Sequence, residues 1–172
     1  MMRISHAMAP IAVLDTAALI AWPLEAMRGG IVLESQKVEL GRVAPERLLV
    51  LEAADLKWHS PNDDSMGKAE EMAIGTGDMA GLSSIDLNLL ALAMEHEATL
   101  FTDDYRLQNI CEKGGIPWAT VSTRGISSIW SWEIRCPGCG AEQEIPSQTP
   151  VKKGDFGVCN ACGSPLRVKR KN

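Results

Sequence analysis

Short apolar runs alternate with helical stripes along the first 121 residues of this chain. Ile11-Ala-Val-Leu is a buried-strand run that ends at Asp15-Thr16, and a helical stretch follows around Ala17–Ala21. Residues 34–41 and 45–54 read as helices, the second opened by Pro45 and carrying Leu48, Leu49 and Leu51. Leu56–Ser60 reads as a short strand. Ser65–Ile74, with Met66, Ala69, Met72 and Ala73, reads as a helix stopped at Gly75-Thr-Gly77. The strongest stripe is Leu82, Ile85, Leu89 and Leu92, widened by Leu90 and Met94, which predicts a helix over Ser84–Glu97. A strand at Thr99–Thr102, a helix at Tyr105–Lys113 stopped by Gly114-Gly115, and a strand at Ile116–Val121 complete the pattern. Strands alternating with helices imply an α/β fold, a parallel sheet with helices on both faces.

Beyond this stretch the chain turns polar and rich in Gly and Pro. The expected division is an α/β domain over residues 1–129 and a small C-terminal unit over 130–172. Within the latter, Cys136, Cys139, Cys159 and Cys162 have the spacing C-x2-C-x19-C-x2-C, which reads as a metal site. Two thiolates two residues apart can face one ion from a tight turn, and two such knuckles complete a tetrahedron. Glycines follow both knuckles, at Gly140 and Gly163. Four thiolates close the coordination shell, so the expected ion is one structural Zn²⁺ in a zinc ribbon. The alternatives are chance CxxC pairs or a redox dithiol, and a redox CxxC normally opens a helix after a strand. Cys111, beside Leu107 and Ile110 on a helix, is expected to be a buried small hydrophobe.

Charge adds an asymmetry. The chain carries a net −5, but residues 132–172 hold seven Lys/Arg against four Asp/Glu, and residues 1–131 hold ten against eighteen. Lys152, Lys153, Arg167, Lys169, Arg170 and Lys171 are the candidate phosphate contacts, the last four in a basic tail that could equally be a solubilising terminus. Trp130 and Trp132, at the junction of the two units, can pack there or stack on a base. No stretch approaches the roughly 20 apolar residues of a membrane span. Met1–Pro10, with a single Arg3 and no long apolar run, does not read as a signal peptide, so a cytoplasmic protein with reduced thiols and no membrane partner is expected.

Ligands of open parallel sheets sit beyond the carboxyl ends of the strands. Asp15 ends the first strand, Asp103 and Asp104 end the strand at 99–102, and Asp86 lies in the first turn of the strongest helix. Each could simply be a helix cap, with Ser83-Ser-Ile-Asp86 resembling a capping box. Brought together at one sheet edge, they would repel unless a cation neutralised them. All-oxygen ligation suits Mg²⁺ or Mn²⁺, and phosphodiester hydrolysis is the natural reaction of such a site. His6, His59 and His96 are isolated, and His96 is expected on a solvated helix face.

Val13-Leu-Asp15-Thr-Ala, Leu82-Ser-Ser-Ile-Asp86-Leu-Asn-Leu-Leu-Ala-Leu-Ala and Thr102-Asp-Asp104-Tyr-Arg-Leu-Gln-Asn resemble the motifs of the PIN-domain nucleases. With the C-terminal CxxC…CxxC ribbon, they resemble the archaeal and eukaryotic branch that trims the 3′ end of small-subunit ribosomal RNA. The resemblance covers roughly residues 11–172. It implies an Mn²⁺- or Mg²⁺-dependent endoribonuclease acting on single-stranded precursor ribosomal RNA within the assembling small ribosomal subunit. The family aspartates match Asp15, Asp86 and Asp104, with Asp103 a near neighbour. Its helical glutamate matches Glu39, with Glu34 as the fallback, although the usual Thr-Pro opening that helix is absent from Ile31-Val-Leu-Glu-Ser. Two other readings stand beside it: a non-catalytic RNA-binding assembly factor, and a toxin-like PIN ribonuclease acting on other RNAs.

Overall fold

The computed structural model describes residues 10–152 and 154–171. In chain order the first part contains β1 (Ala12–Leu14), α1 (Thr16–Ala21), α2 (Leu24–Met27), β2 (Ile31–Leu33), α3 (Gln36–Val43), α4 (Pro45–Glu52), β3 (Lys57–His59) and α5 (Asp63–Thr76). A 3-10 turn (Asp78–Gly81), α6 (Ser84–Glu95), β4 (Thr99–Phe101), α7 (Tyr105–Gly114) and β5 (Trp118–Ala119) follow. The second part contains β6 (Trp132–Arg135), β7 (Glu142–Gln143) and β8 (Arg167–Arg170).

The first five strands form one parallel sheet in the order β3-β2-β1-β4-β5. Strand order reverses between β1 and β4, the switch point at which open α/β sheets place their ligands. Successive residues of the strands feed opposite faces, so both faces are apolar. Val13, Ile31, Leu33 and Leu100 pack under α5, α6 and α7 with Leu89, Leu90, Leu92, Leu107 and Ile110. Leu14 and Val32 pack under α1, α3 and α4 with Leu19, Leu40 and Leu51. Each fully buried leucine contributes about 1.5–3 kcal/mol from removal of its surface from water. Cys111 is completely buried in the first of these cores, as a small hydrophobe.

Several elements differ from the expected bounds. β2 has no counterpart in the sequence pattern: it is three fully apolar residues set between Gly29-Gly30 and Glu34, too short to show alternation. α5 starts at Asp63 rather than Ser65, because the Asn62 side chain accepts from the Ser65 N–H and caps it. It also runs on to Thr76 and ends at Gly77, whose φ of 79° is the left-handed cap conformation. A Cβ at Gly77 would lie 2.3 Å from the Trp132 carbonyl oxygen, so this glycine lets the second unit approach the first. His96 is half-buried against the His59 ring, 5.4 Å away, rather than on a solvated face.

β6 is the central strand of an antiparallel sheet of order β7-β6-β8. The basic tail read from sequence is therefore β8, in register with β6 from Trp132↔Arg170 to Arg135↔Arg167. No helix among the described residues is long and apolar enough to cross a membrane.

Candidate active site and metal centre

Leu14 pairs with Phe101 in the parallel register of β1 and β4, so Asp15 and Thr102 emerge side by side at the carboxyl ends of adjacent strands. The Thr102 hydroxyl donates to Asp15 Oδ2 at 2.7 Å and accepts from the Asp104 N–H at 3.0 Å. Asp15 Oδ1 accepts from the Thr16 N–H and caps α1. Asp104 Oδ1 accepts from the Arg106 and Leu107 N–H groups and caps α7. Asp86 completes a capping box with Ser83 at the start of α6. The capping reading therefore holds for all three aspartates, and two of the caps, Asp15 and Asp104, share the Thr102 hydroxyl. Three helix N-termini point their partial positive charge toward one sheet edge and help hold the carboxylates there.

Burial first, and then the negative charges of Asp86 and Asp104, push the Asp15 carboxyl up to about 6 against the lowering hydrogen bonds from Thr102 and Thr16. Those two charges therefore act on Asp15. Glu39 joins from α3: the Thr16 hydroxyl donates to Glu39 Oε2 at 2.6 Å. Glu34, the fallback, instead pairs with Lys37 on the surface at 2.8 Å. Asp103 turns elsewhere. Its carboxylate accepts from the N–H groups of Val121, Ser122 and Thr123 and from the Ser122 and Thr123 hydroxyls. What little burial it has pushes it upward, but these hydrogen bonds hold it well below the usual carboxylate range. Its charge is committed to the 121–123 loop.

The residues that set this geometry include three not singled out from sequence: Thr16, Gln36 and Thr102. Gln36 is fully buried. It accepts from the Leu33 N–H at 2.8 Å and donates to the Leu14 carbonyl at 3.1 Å and to the Thr16 hydroxyl at 3.2 Å. It therefore ties β1 to β2 and orients the Thr16 hydroxyl toward Glu39. Gln36→Ala should cost about 1–3 kcal/mol by leaving buried backbone groups unsatisfied. It should also lower, per folded molecule, the RNA cleavage that the resemblance to PIN-domain nucleases implies. Thermal unfolding and a cleavage assay at saturating metal check both, and unchanged cleavage would confine Gln36 to the fold.

Oxygen donors at a strongly negative, partly desolvated edge fit a hard divalent cation. Among the described residues no three carboxylates bring oxygens within 4.8 Å of one another.

The four cysteines are the one group among the described residues whose ligand atoms all lie within 4.8 Å. Cys136 Sγ is 3.4 Å from Cys162 Sγ, and Cys139 Sγ is 3.6 Å from Cys159 Sγ. A tetrahedron with Zn–S of 2.3 Å has an S–S edge of about 3.8 Å, so the cluster fits one zinc ion. The two knuckles are built alike. The Gly140 N–H donates to the Cys136 carbonyl at 3.0 Å, and the Gly163 N–H to the Cys159 carbonyl at 2.8 Å. Both glycines have positive φ. A Cβ on Gly138 would lie 2.6 Å from Ser164 Oγ, so the knuckles also need this glycine to approach each other.

The basic candidates are spread over the second sheet. Directly paired positions share a face, so Arg167 and Lys169 lie with Glu133 and Arg135, and Arg170 lies with Trp132. The Arg170 guanidinium sits 4.5 Å over the Trp130 ring. Lys171 Nζ is 4.0 Å from Glu142, and Lys152 is exposed in the loop before Cys159. Lys153 lies outside the described residues. Trp130 and Trp132 pack edge-to-face with ring centres 5.4 Å apart, and the Asn109 side chain bonds both the N–H and the carbonyl of Trp130.

The family model described as the PIN domain of ribonuclease matches residues 12–95, a span that includes Asp15, Glu39 and Asp86. Endoribonuclease Nob1 of Pyrococcus abyssi is 32% identical over 138 residues, 80% of this chain and 79% of its own length. Endoribonuclease Nob1 of Methanocaldococcus jannaschii is 31% identical over 162 residues, 92% of this chain and 77% of its own. Ribonuclease VapC1 of Thermoplasma acidophilum is 30% identical over 162 residues, 94% of this chain and 79% of its own.

Proposed function

We propose, from the premise that this chain belongs to the PIN-domain endoribonucleases, that it cuts precursor ribosomal RNA at the 3′ end of the small-subunit RNA. Cleavage would occur in the cytoplasm, on the assembling small ribosomal subunit. The observation that supports this reading best is the joint presence of the carboxylate edge and the four-cysteine cluster, in a chain with Nob1 relatives along most of its length. PIN nucleases use divalent metal ions. Asp15, Asp86 and Asp104 would hold Mg²⁺ or Mn²⁺ here. When bound, such an ion lowers the pKa of a water molecule and stabilises charge on the phosphodiester. Glu39, held by the Thr16 hydroxyl, orients the attacking water and accepts its proton. Thr102 holds Asp15 and the Asp104 backbone in register. The ribbon, organised by one Zn²⁺, supplies Arg167, Lys169, Arg170 and Lys171 for phosphates that the acidic edge alone would repel.

A second reading has one observation in its favour, since a protein named Ribonuclease VapC1 aligns with 94% of this chain. On that reading the chemistry is the same and the target is another RNA. One experiment separates the readings. A labelled precursor spanning the small-subunit 3′ end is incubated with the full chain in Mn²⁺, Mg²⁺ or EDTA, beside total RNA and an Asp104→Asn control. A single metal-dependent cut at the mature end, lost in the control, supports the ribosomal reading. Cuts mapping to other RNAs support the second. Binding without any cut would return the protein to a non-catalytic assembly role.

A further inference from the structure

A groove of about 420 Å³ runs between the first turns of α7, the loop over residues 125–128 and the start of the ribbon, lined by Tyr105, Arg106, Asn109, Ile126, Trp130 and Trp132. Its size falls in the roughly 300–1,000 Å³ range of small-ligand clefts. We propose that this groove is a stacking subsite for an unpaired nucleobase of the RNA strand, next to the phosphodiester that is cut. The proposal rests on the ribonuclease reading for the identity of its ligand.

Position is the first argument. Asp104 caps α7 and Tyr105 is the first residue of that helix, so the groove begins one residue from the carboxylate edge. A strand laid across that edge must place its neighbouring nucleotides somewhere close by.

Exposure is the second. Tyr105 is the chain's only tyrosine and is 58% exposed, and Trp130 is 37% exposed. The sequence has just eight aromatic residues of Phe, Tyr and Trp type, and two of them are left presenting ring surface to one cleft. Trp130 is held in place for this. The Asn109 side chain pins its backbone on both sides, and its indole N–H donates to the Ser128 hydroxyl at 2.6 Å.

Charge is the third. The Arg106 guanidinium lies 4.6 Å over the Trp132 ring but is engaged with the fully buried Asp78 at 3.4 Å. Arg170, exposed and stacked on Trp130, is the cation at the rim that can meet a phosphate. Aromatic faces with a flanking arginine bind unpaired bases with little regard to sequence, and exclude a duplex whose bases are already stacked inside. The cleft's chemistry therefore selects single-stranded RNA at the point of cutting.

The test uses the zinc-loaded full chain with no added Mg²⁺ or Mn²⁺ and no chelator, so that the ribbon stays folded and binding is read without cleavage. A labelled single-stranded oligouridine decamer is titrated with wild type, Tyr105→Ala, Tyr105→Phe and Trp130→Phe, and wild type is also titrated with decamers carrying one abasic ribose at each position in turn. Tyr105→Ala should weaken binding about 5-fold or more, while the two ring-preserving variants stay near wild type. One or two adjacent abasic positions should weaken wild type to a similar degree and Tyr105→Ala no further. The abasic arm uses unaltered protein, so a folding defect in a variant cannot imitate it. A flat abasic scan, with Tyr105→Ala binding as tightly as wild type, overturns the subsite. If wild type meanwhile cuts RNA in Mn²⁺, the nuclease reading stands without it. Loss of binding in a protein that cuts nothing would keep the subsite and remove the nuclease reading.

Discussion

Asp15→Asn is expected to abolish metal-dependent RNA cleavage and, in the same molecule, to raise the melting temperature of the protein free of Mg²⁺ and Mn²⁺. The first effect follows from removing a charge that the proposed mechanism assigns to the metal, a loss of at least about 10²-fold. The second follows from the carboxyl being pushed up to about 6 by its burial and by Asp86 and Asp104. A carboxyl whose pKa is higher in the folded than in the unfolded chain favours folding below the unfolded value of 3.8. That contribution is lost as pH rises through about 6. At neutral pH the ionised group therefore opposes folding. Two pKa units correspond to an upper bound of about 3 kcal/mol, and partial exposure reduces the expected gain to about 1–2 kcal/mol. For a chain of this size that is a rise of about 2–8 °C.

The gain should be absent below pH 4, grow between pH 4 and 6, and level off above. Calorimetry of both zinc-loaded proteins, with no added Mg²⁺ or Mn²⁺ and no chelator, reads it across that range. Mn²⁺ should then raise the melting temperature of wild type far more than that of the variant, because only the former has the charge to hold it. Equal melting temperatures at pH 7.5 without added Mg²⁺ or Mn²⁺ would mean that Asp15 sits in the fold without opposing it.

Cys159→Ser should unfold the second sheet and leave the first intact. Cys136 and Cys159 are 1% and 2% exposed, and among the described residues of that unit the one other buried apolar side chain is Ile134. Val151 and Val158 are exposed. A unit with so small a core cannot offset its chain entropy, and thiolate ligation supplies on the order of 10 kcal/mol of folding free energy to such a unit. Loss of one thiolate is expected to take bound zinc from one per chain toward none, read by metal analysis. Amide exchange should lose protection in β6 and β8 while α6 and β4 stay protected. Protected β8 amides in a metal-free variant would show that packing against the first unit suffices. Affinity for single-stranded RNA should fall in parallel, since Arg167, Lys169 and Arg170 all ride on β8.

Sequence reveals different parts of this molecule unequally, for physical reasons. α6 is legible because its apolar residues repeat at helical spacing over three turns, with Leu87, Leu89, Leu90 and Leu92 buried and Ile85 and Met94 packed at the edge of the core. β2 is invisible because three apolar residues have no period. The first turn of α5 hides because Asp63 and Asp64 carry no apolar signal, the work being done by the Asn62 cap. Within the site, acidic residues at strand ends announce themselves. Asp103 and Asp104 are adjacent and chemically identical, and only the 121–123 loop distinguishes them by claiming one. Gln36 and Thr102 carry no sequence signal because their value lies in single hydrogen bonds to backbone and carboxylate, fixed by tertiary contacts.

The pairing of Asp15 with Thr102 spans 87 positions and crosses the middle of the sheet. At the usual 5–20 residues per second of synthesis, about 4–17 s separate the two halves of this contact. During that interval β1 has emerged but its neighbour β4 does not exist. A growing or prematurely terminated chain that stops short of residue 104 therefore lacks the completed carboxylate edge, and an RNA-cutting protein made on an RNA machine stays inert until that strand arrives.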